Sequence, residues 1–367
     1  MTATLLLSAC GGAAAPSAAP ASTPSSAAAP GVSSSAAGNA PASGAAKPAA
    51  SSAAMASAKP APSGQATKLT VALSSLSASN LPSWVGEQAG IYAKNGLDVT
   101  FKVIAGGSTT TSALLGGDVQ IVMGGGSEAL GAAAGGADLV ILGITVPKYT
   151  VIIEGPASAK SLKDLKGKTF GVPAARGTVD VSTRIALKSQ GMDPDKDVKI
   201  TSLGSVQAVT AALLSGTIDA AGVNVPDNLA AEDKGLHAVM SMKDADLPAA
   251  SNSIYTVRSY AAANKDVLQR YVDSVVESIA RIKTDRATSI AAIKKNLKLD
   301  DDRAAAATYD YYREGVFPAL PYPKPEYFKD AQELGGEVNP KVRDFDVSKI
   351  LDSSFVQSAA DRGLDKS

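Results

Sequence analysis

The hydrophobic pattern of this chain alternates between strand and helix spacing from Lys68 to the C-terminus. Leu97, Val99, Phe101 and Val103 alternate with polar residues, which predicts a half-buried strand. Further strands are predicted at 68–73, 119–123, 139–142, 169–172, 198–203, 218–223 and 254–257. Helices are predicted at 82–95, 108–115, 178–190 and 205–214, and residues 265–367 are largely helical. Strands that alternate with helices predict an α/β fold with mainly parallel sheets.

A nine-residue segment occurs twice in similar form. Segment 113–121, ALLGGDVQI, returns at 212–220 as ALLSGTIDA. Each copy predicts a helix end, a glycine turn and a short buried strand, because glycine adopts left-handed backbone without a Cβ penalty. Two such units predict two lobes with a ligand-binding cleft between them. We expect the first part of lobe 1 at 67–150, lobe 2 at 151–257, and the completion of lobe 1 with C-terminal helices at 258–367.

The N-terminal region has a different composition. Residues 1–10 contain a short apolar run and predict a lipoprotein signal, because Leu7-Ser8-Ala9-Cys10 resembles the bacterial lipobox. Cys10 is the only cysteine, so we expect lipid attachment there and no disulfide; the alternative is an unmodified cysteine after a leader. Residues 11–66 are nearly all Ala, Ser, Pro and Gly, which predicts a disordered tether.

Charge and residue usage argue against several classes of function. Basic and acidic residues both number 35, so the basic excess typical of nucleic-acid-binding proteins is absent. The sole histidine, His237, is interpreted as structural and leaves no Ser–His pair for nucleophilic catalysis. No Cys or His spacing fits a metal site. We expect a monomer without catalytic residues, metal or cofactor.

Three segments occur in an order that is informative as a set. They are Gly90-Ile91-Tyr92 with Asn95–Val99, SLKDLKGK at 161–168, and ALLSGTIDA at 212–220. The set resembles the solute-binding proteins of bacterial ABC importers, in the sulfonate, nitrate and taurine class also called NMT1/THI5-like. The resemblance covers residues 68 to about 271. It implies a two-lobed periplasmic-binding-protein fold of type II with two hinge crossings, a permease and an ATPase as partners, and an extracytoplasmic location at the bacterial membrane.

Loops that follow the carboxyl ends of strands are the expected solute site, because helix N-termini meet the sheet edge there. The candidate residues are Ser74, Ser75, Ser77, Trp84, Gly125, Gly126, Ser127, Arg176, Gly177, Thr178 and Asn224. Ser127 and Thr178 are also typical helix caps, and Trp84 fits either the core or the cleft rim. Arg176 is either a solvated loop charge or a contact to an anionic group. Asn224 stands where relatives commonly have an aromatic residue.

The resemblance therefore implies the solute-binding component of an importer, which captures a small solute between two lobes. Sulfonates, nitrate and carboxylates are candidate solutes, and a neutral aromatic is the alternative. A second hypothesis is an NMT1-like enzyme of pyrimidine or thiamine precursor synthesis, although the Cys-rich iron motif of that enzyme is absent here. A third is a ligand-sensing domain of a membrane receptor.

Overall fold

The computed structural model describes residues 66–245 and 247–366. The predicted signal, Cys10 and the predicted tether up to residue 65 lie outside the described residues. Within the described part the chain forms ten strands: β1 (Thr67–Leu73), β2 (Leu97–Val103), β3 (Ile121–Gly124), β4 (Leu139–Lys148), β5 (Ile152–Pro156), β6 (Thr169–Val172), β7 (Lys199–Ser202), β8 (Ala220–Val223), β9 (Leu236–Ser241) and β10 (Pro248–Val257).

The α-helices in the same residues are α1 (Leu81–Gln88), α2 (Ile91–Lys94), α3 (Gly107–Leu115), α4 (Gly126–Ala134), α5 (Thr178–Ser189), α6 (Val206–Leu214), α7 (Asp227–Glu232), α8 (Arg258–Ala263), α9 (Lys265–Thr284), α10 (Arg286–Leu297), α11 (Asp302–Arg313), α12 (Lys329–Gly336), α13 (Pro340–Arg343) and α14 (Ser354–Asp361). Short 3-10 helices lie at Ala78–Asn80, Leu162–Leu165, Pro325–Phe328, Val347–Ile350 and Leu364–Lys366. None of these helices is both long and apolar enough to cross a membrane.

The strands form two five-stranded sheets with the same topology. The first has the order β2-β1-β3-β10-β4 and the second the order β7-β6-β8-β5-β9. In each sheet one strand runs against the others: β10 is antiparallel to β3 and β4, and β5 is antiparallel to β8 and β9. Lobe 1 is defined here as residues 67–148 with 248–366, and lobe 2 as residues 152–241. The α/β fold with mainly parallel sheets is confirmed.

The chain crosses between the lobes twice, each time in a segment that connects two strands. It leaves lobe 1 between β4 and β5 and returns between β9 and β10. The predicted range 151–257 for lobe 2 is therefore too long, because β10 begins at Pro248 and pairs with the first sheet. Only the apolar run from Ile254 indicated this strand in the sequence. Its first half, PAASNS at 248–253, is small and polar and shows no strand pattern.

The repeated segment folds as the same turn in both lobes. Gly117 ends α3 with φ +85°, and Gly216 ends α6 with φ +72°. The N–H of Asp118 donates to the carbonyl of Ala113, as that of Thr217 donates to Ala212, which closes both helix ends alike. Each turn then leads into the third strand of its sheet, β3 or β8.

The predicted helix at 82–95 is two helices. Gly90 takes φ +69° and separates α1 from α2, since left-handed backbone cannot continue an α-helix. Both pieces still bury their apolar face in lobe 1, where Trp84 and Tyr92 meet α9. Tyr271, Val275, Ile279 and Ile282 of α9 are fully buried, which supplies lobe 1 with a large core.

Candidate functional site

A cleft lies between the lobes at the carboxyl ends of their parallel strands. Four helices begin at it: α3 and α4 of lobe 1, and α5 and α6 of lobe 2. The cleft holds about 830 Å³ of empty space, part of which is open to solvent. Four helix N-termini, with their unpaired backbone N–H groups, therefore converge on one cavity.

Hydroxyl side chains make up most of the polar lining. They are Ser74, Ser75, Ser77, Ser79, Thr150, Thr178, Ser182, Ser205 and Ser251. The Ser251 Oγ is buried and has no hydrogen-bond partner. Two amides, Asn224 and Gln207, also line the cleft, and Thr150 donates a 3.3 Å hydrogen bond to the Asn224 Oδ1. The cavity is therefore suited to hydrogen-bonding a polar solute.

Seven of the eleven predicted site residues lie in this lining. They are Ser74, Ser75, Ser77, Gly125, Gly177, Thr178 and Asn224. All follow the carboxyl end of a strand, as the sequence pattern predicts. Their contact with a solute stays a prediction.

Trp84 belongs to the core and not to the cleft lining. Its side chain is 1% exposed and lies among the buried residues of lobe 1. The apolar stripe that contains it faces inward because α1 packs on α9 and α10. Of the two interpretations of Trp84 made from the sequence, the structure therefore favours the core.

Gly126 and Ser127 lie beside the main cleft. A Cβ on Gly126 would collide with Ala250 and Phe328, so this glycine permits close packing of α4 on β10. Ser127 lines a smaller neighbouring cavity with Thr178. Its Oγ lies 2.9 Å from the Glu128 Oε2 and 3.2 Å from the Thr178 Oγ1. Ser127 thus orients residues that line the cleft.

Arg176 does not line the cleft. Its backbone is left-handed, with φ +60°, and its N–H donates to the buried Asp180. Its guanidinium Nη1 lies 3.4 Å from the Glu337 Oε2, at the end of α12. The hypothesis that Arg176 binds an anionic group of the solute has no support from this position, because the guanidinium already has an acidic partner.

Glu128 is the functional candidate that the sequence interpretation missed. It stands in the first turn of α4 and is the only Asp, Glu, Lys, Arg or His among the described residues that line the cleft. Its Oε2 accepts from the hydroxyls of Ser127 at 2.9 Å and Thr178 at 3.3 Å. Because Thr178 belongs to lobe 2, the carboxylate joins the two lobes. An acid just after GGGS was the available signal, but it resembles an ordinary first-turn acid.

Tyr149 and Thr150 were also missed. They stand where the chain leaves β4 for lobe 2, and both line the cleft. The Tyr149 hydroxyl donates to the Asp330 Oδ2 at 3.3 Å. Burial, followed by the nearby Asp330 charge, raises the pKa of Tyr149 far above its usual range, so the phenol stays neutral. A tyrosine at the end of a buried strand was the only sequence signal.

The sole histidine and potential metal ligands were also located in the described part of the chain. His237 lies on β9, with its Nε2 2.6 Å from the Ala159 carbonyl, and is absent from the lining. In residues 66–245 and 247–366, no group of three or more His, Cys, Asp or Glu side chains is placed to hold a metal ion. Among the described residues that line the cleft, Glu128 is the single acidic group.

Sequence comparison identifies the family. The family model described as NMT1/THI5 like matches residues 78–285, more than half of the 367-residue chain. The chain belongs to the NMT1/THI5-like family. The resemblance drawn from the three sequence segments is thereby confirmed.

Members of this structural class include binding proteins and an enzyme. The Bacillus subtilis (strain 168) protein YtlA, named as a binding protein, is 23% identical over 254 residues, or 68% of this chain and 76% of YtlA. The periplasmic aliphatic sulphonate binding protein SsuA from Escherichia coli matches with a TM-score of 0.61 and 20% identity, over 76% of this chain and 93% of SsuA. The desulfurization enzyme DSZB matches with a TM-score of 0.57 and 14% identity, over 81% of this chain and 99% of DSZB. The two structures share the fold of this NMT1/THI5-like protein.

Proposed function

We propose that this chain is the extracytoplasmic solute-binding component of an ABC importer. It holds one small polar solute between its lobes and presents it, chemically unchanged, to a membrane permease driven by an ATPase. The observation that carries the proposal is the cavity itself, in which two helix N-termini from each lobe converge on one hydroxyl-rich space. Membership of the NMT1/THI5-like family and the fold shared with SsuA support it.

The two segments that connect the lobes are consistent with a binding role, because they allow the lobes to move relative to each other. Each lobe has its own sheet and a buried cluster made only of its own residues, so the lobes can hold their shape while the cleft width changes. Thr178 contacts Ser127 and Glu128, and the Gln207 Nε2 donates to the Leu76 carbonyl at 3.3 Å, so both lobes contribute groups to the enclosure. A solute that contacts both lobes would stabilise their approach, which is the basis of recognition by a permease.

The proposal includes a lipid anchor on Cys10. A tethered receptor stays near its permease, and the small-residue composition of 11–66 suits a flexible connection. Expression of the full chain and of a Cys10→Ala variant in a bacterial host tests this point. We expect the natural chain in the membrane fraction and the variant outside it; equal membrane fractions would contradict the anchor.

Binding without turnover is the decisive test of function. The full chain is equilibrated with a library of small polar solutes, melting temperature is measured, and each stabilising compound is recovered and analysed by mass spectrometry. A bound solute raises the melting temperature by mass action and should be recovered with its mass unchanged. Conversion of a stabilising compound to product would overturn the proposal in favour of an enzyme.

A further inference from the structure

The charge of the cleft is unusual for a site that binds an acid. Glu128 is its one charged side chain, and no Lys, Arg or His of the described residues lines it. The nearby Arg176 is paired with Glu337, and Arg184 is paired with Asp180 and Asp195 on lobe 2. A solute in the cleft therefore meets a carboxylate with no side-chain cation beside it.

The Glu128 carboxylate lies at the helix N-termini of the cleft, where an anionic ligand would otherwise be attracted. Glu128 lies in the first turn of α4. A Cβ on Gly107, at the start of α3, would lie 2.5 Å from its Oε1, and a Cβ on Gly177, just before α5, would lie 3.0 Å from it. A Cβ on Gly125 would also overlap the Glu128 Oε2. The positive ends of three helices thus stabilise this carboxylate. An oxyanion solute would be repelled by the charge of this carboxylate.

The acceptor capacity of Glu128 is only partly used. Its Oε2 accepts from Ser127 and Thr178, whereas no hydrogen bond from the described residues reaches its Oε1. The residue is partly exposed and lines the cleft, so Oε1 is available to a donor on the solute. Among the described lining residues the one aromatic side chain is that of Tyr149, whose ring suits a cationic partner.

We infer that the solute is a nitrogen base, a protonated amine or amidine, whose N–H groups donate to Glu128. This inference rests on the proposed function and assigns the charge of the solute. A cationic donor forms a charge-assisted hydrogen bond with the carboxylate, which is stronger than a neutral one. Acids of the same carbon skeleton are excluded by repulsion, so Glu128 sets specificity as well as affinity.

The test compares matched bases and acids on the full 367-residue chain. One set contains alkyl and aryl primary amines and amidines up to benzamidine, and the other contains the carboxylates and sulfonates of the same skeletons. Melting temperature identifies binders and calorimetry measures their affinity. We expect binders among the bases, none among the acids, and a loss of affinity of about tenfold or more for those bases in Glu128→Gln.

Two controls separate charge from folding. Glu314→Gln changes an exposed acid on the C-terminal side of α11 and should leave base affinity unchanged. If Glu128→Gln lowers the melting temperature of the protein without solute, Glu128→Asp is tested instead. This variant keeps the charge and should retain a preference for bases over acids. The same preference in Glu128→Gln and the natural chain would overturn the role of Glu128.

The outcomes distinguish this inference from the function on which it rests. Binding of acids but not of bases would overturn the charge assignment and leave the solute-binding function intact. Conversion of a bound base to product would overturn the function and leave the charge assignment intact. A natural chain stabilised by neither set would overturn the assignment of a nitrogen base.

Discussion

The two lobes share one sheet topology but differ at a corresponding buried position. Tyr255 on β10 pairs with Val122 of β3, and Glu154 on β5 pairs with Ala221 of β8, so both occupy the same register on the antiparallel strand. Tyr255 shares a 2.8 Å hydrogen bond with Thr111 of α3. Glu154 is fully buried, and neither carboxyl oxygen has a hydrogen-bond partner.

The corresponding threonine explains part of this difference. Thr210 of α6 occupies the position in the repeat that Thr111 occupies in α3, but its hydroxyl lies 3.1 Å from Asp227 of α7. Glu154 is left without that donor. Burial, followed by the charge of Glu232, raises the pKa of Glu154 to about 7. A shared fold thus tolerates a buried polar group at little cost where a partner exists, and makes its charge pH-dependent where none does.

The largest loss of stability is expected when the glutamate of lobe 2 replaces the corresponding tyrosine of lobe 1. Tyr255→Glu removes a buried ring and introduces a buried carboxyl, so we expect a loss of about 4 kcal/mol or more at pH 8. Urea denaturation followed by circular dichroism measures it. Tyr255→Phe is the control and should cost only about 1 kcal/mol, because Thr111 keeps its bond to the Gly107 carbonyl. Equal losses in both variants would contradict this account.

The reciprocal change removes the acid from lobe 2. The folded pKa of Glu154 lies above the unfolded value of 4.5, so the folded state binds more protons and stability falls as pH rises from about 4.5 to about 7. Glu154→Gln cannot ionise and should recover up to about 3 kcal/mol at pH 8. At pH 4 the variant and the natural chain should be nearly equal. Urea midpoints at both pH values check this, and a gain that is the same at pH 4 and 8 would exclude ionisation as its cause.

The smallest expected losses of stability test whether the glycine turns of the two lobes are equivalent. Gly117→Ala and Gly216→Ala each force left-handed backbone on a residue with a Cβ, with no neighbouring atom in the way. Each substitution should therefore lower the free energy of unfolding by about 1 kcal/mol, and the loss should be the same in both lobes. Gly131→Ala, in open space within α4, is the matched control and should be neutral or slightly stabilising. Unequal costs, measured by urea denaturation, would show that the two turns are not equivalent.

The fold was largely predictable because its signals are local. The turns at Gly117 and Gly216 depend on a few consecutive residues, and those residues occur twice in the sequence. The boundary of lobe 2 was wrong because β10 opens with small polar residues that pair by register rather than by hydrophobic pattern. Local patterns therefore predict helix ends and strands better than they predict which sheet a strand joins.

The candidate site was predictable only where it depends on strand ends. Glycines and hydroxyls in the loops were found because the carboxyl end of each strand could be located. Glu128 was not, because only the approach of α5 brings Thr178 to its carboxylate. Arg176 was assigned to the cleft because nothing near it in the sequence shows that Glu337 would pair with it. Contacts between residues far apart decide the charge of this cavity.

Helix α12 connects the lobes independently of the strands. It contacts α4 on one side and α5 on the other, and Leu334 is buried in a hydrophobic cluster of lobe 2. Glu337 adds ion pairs to Arg176 and Lys188. A change in the separation of α4 and α5 would therefore alter the contacts of α12 and the burial of Leu334, which couples the width of the cleft to this helix. The amide-hydrogen exchange rate of α12 would report how often this helix separates from the elements that it contacts.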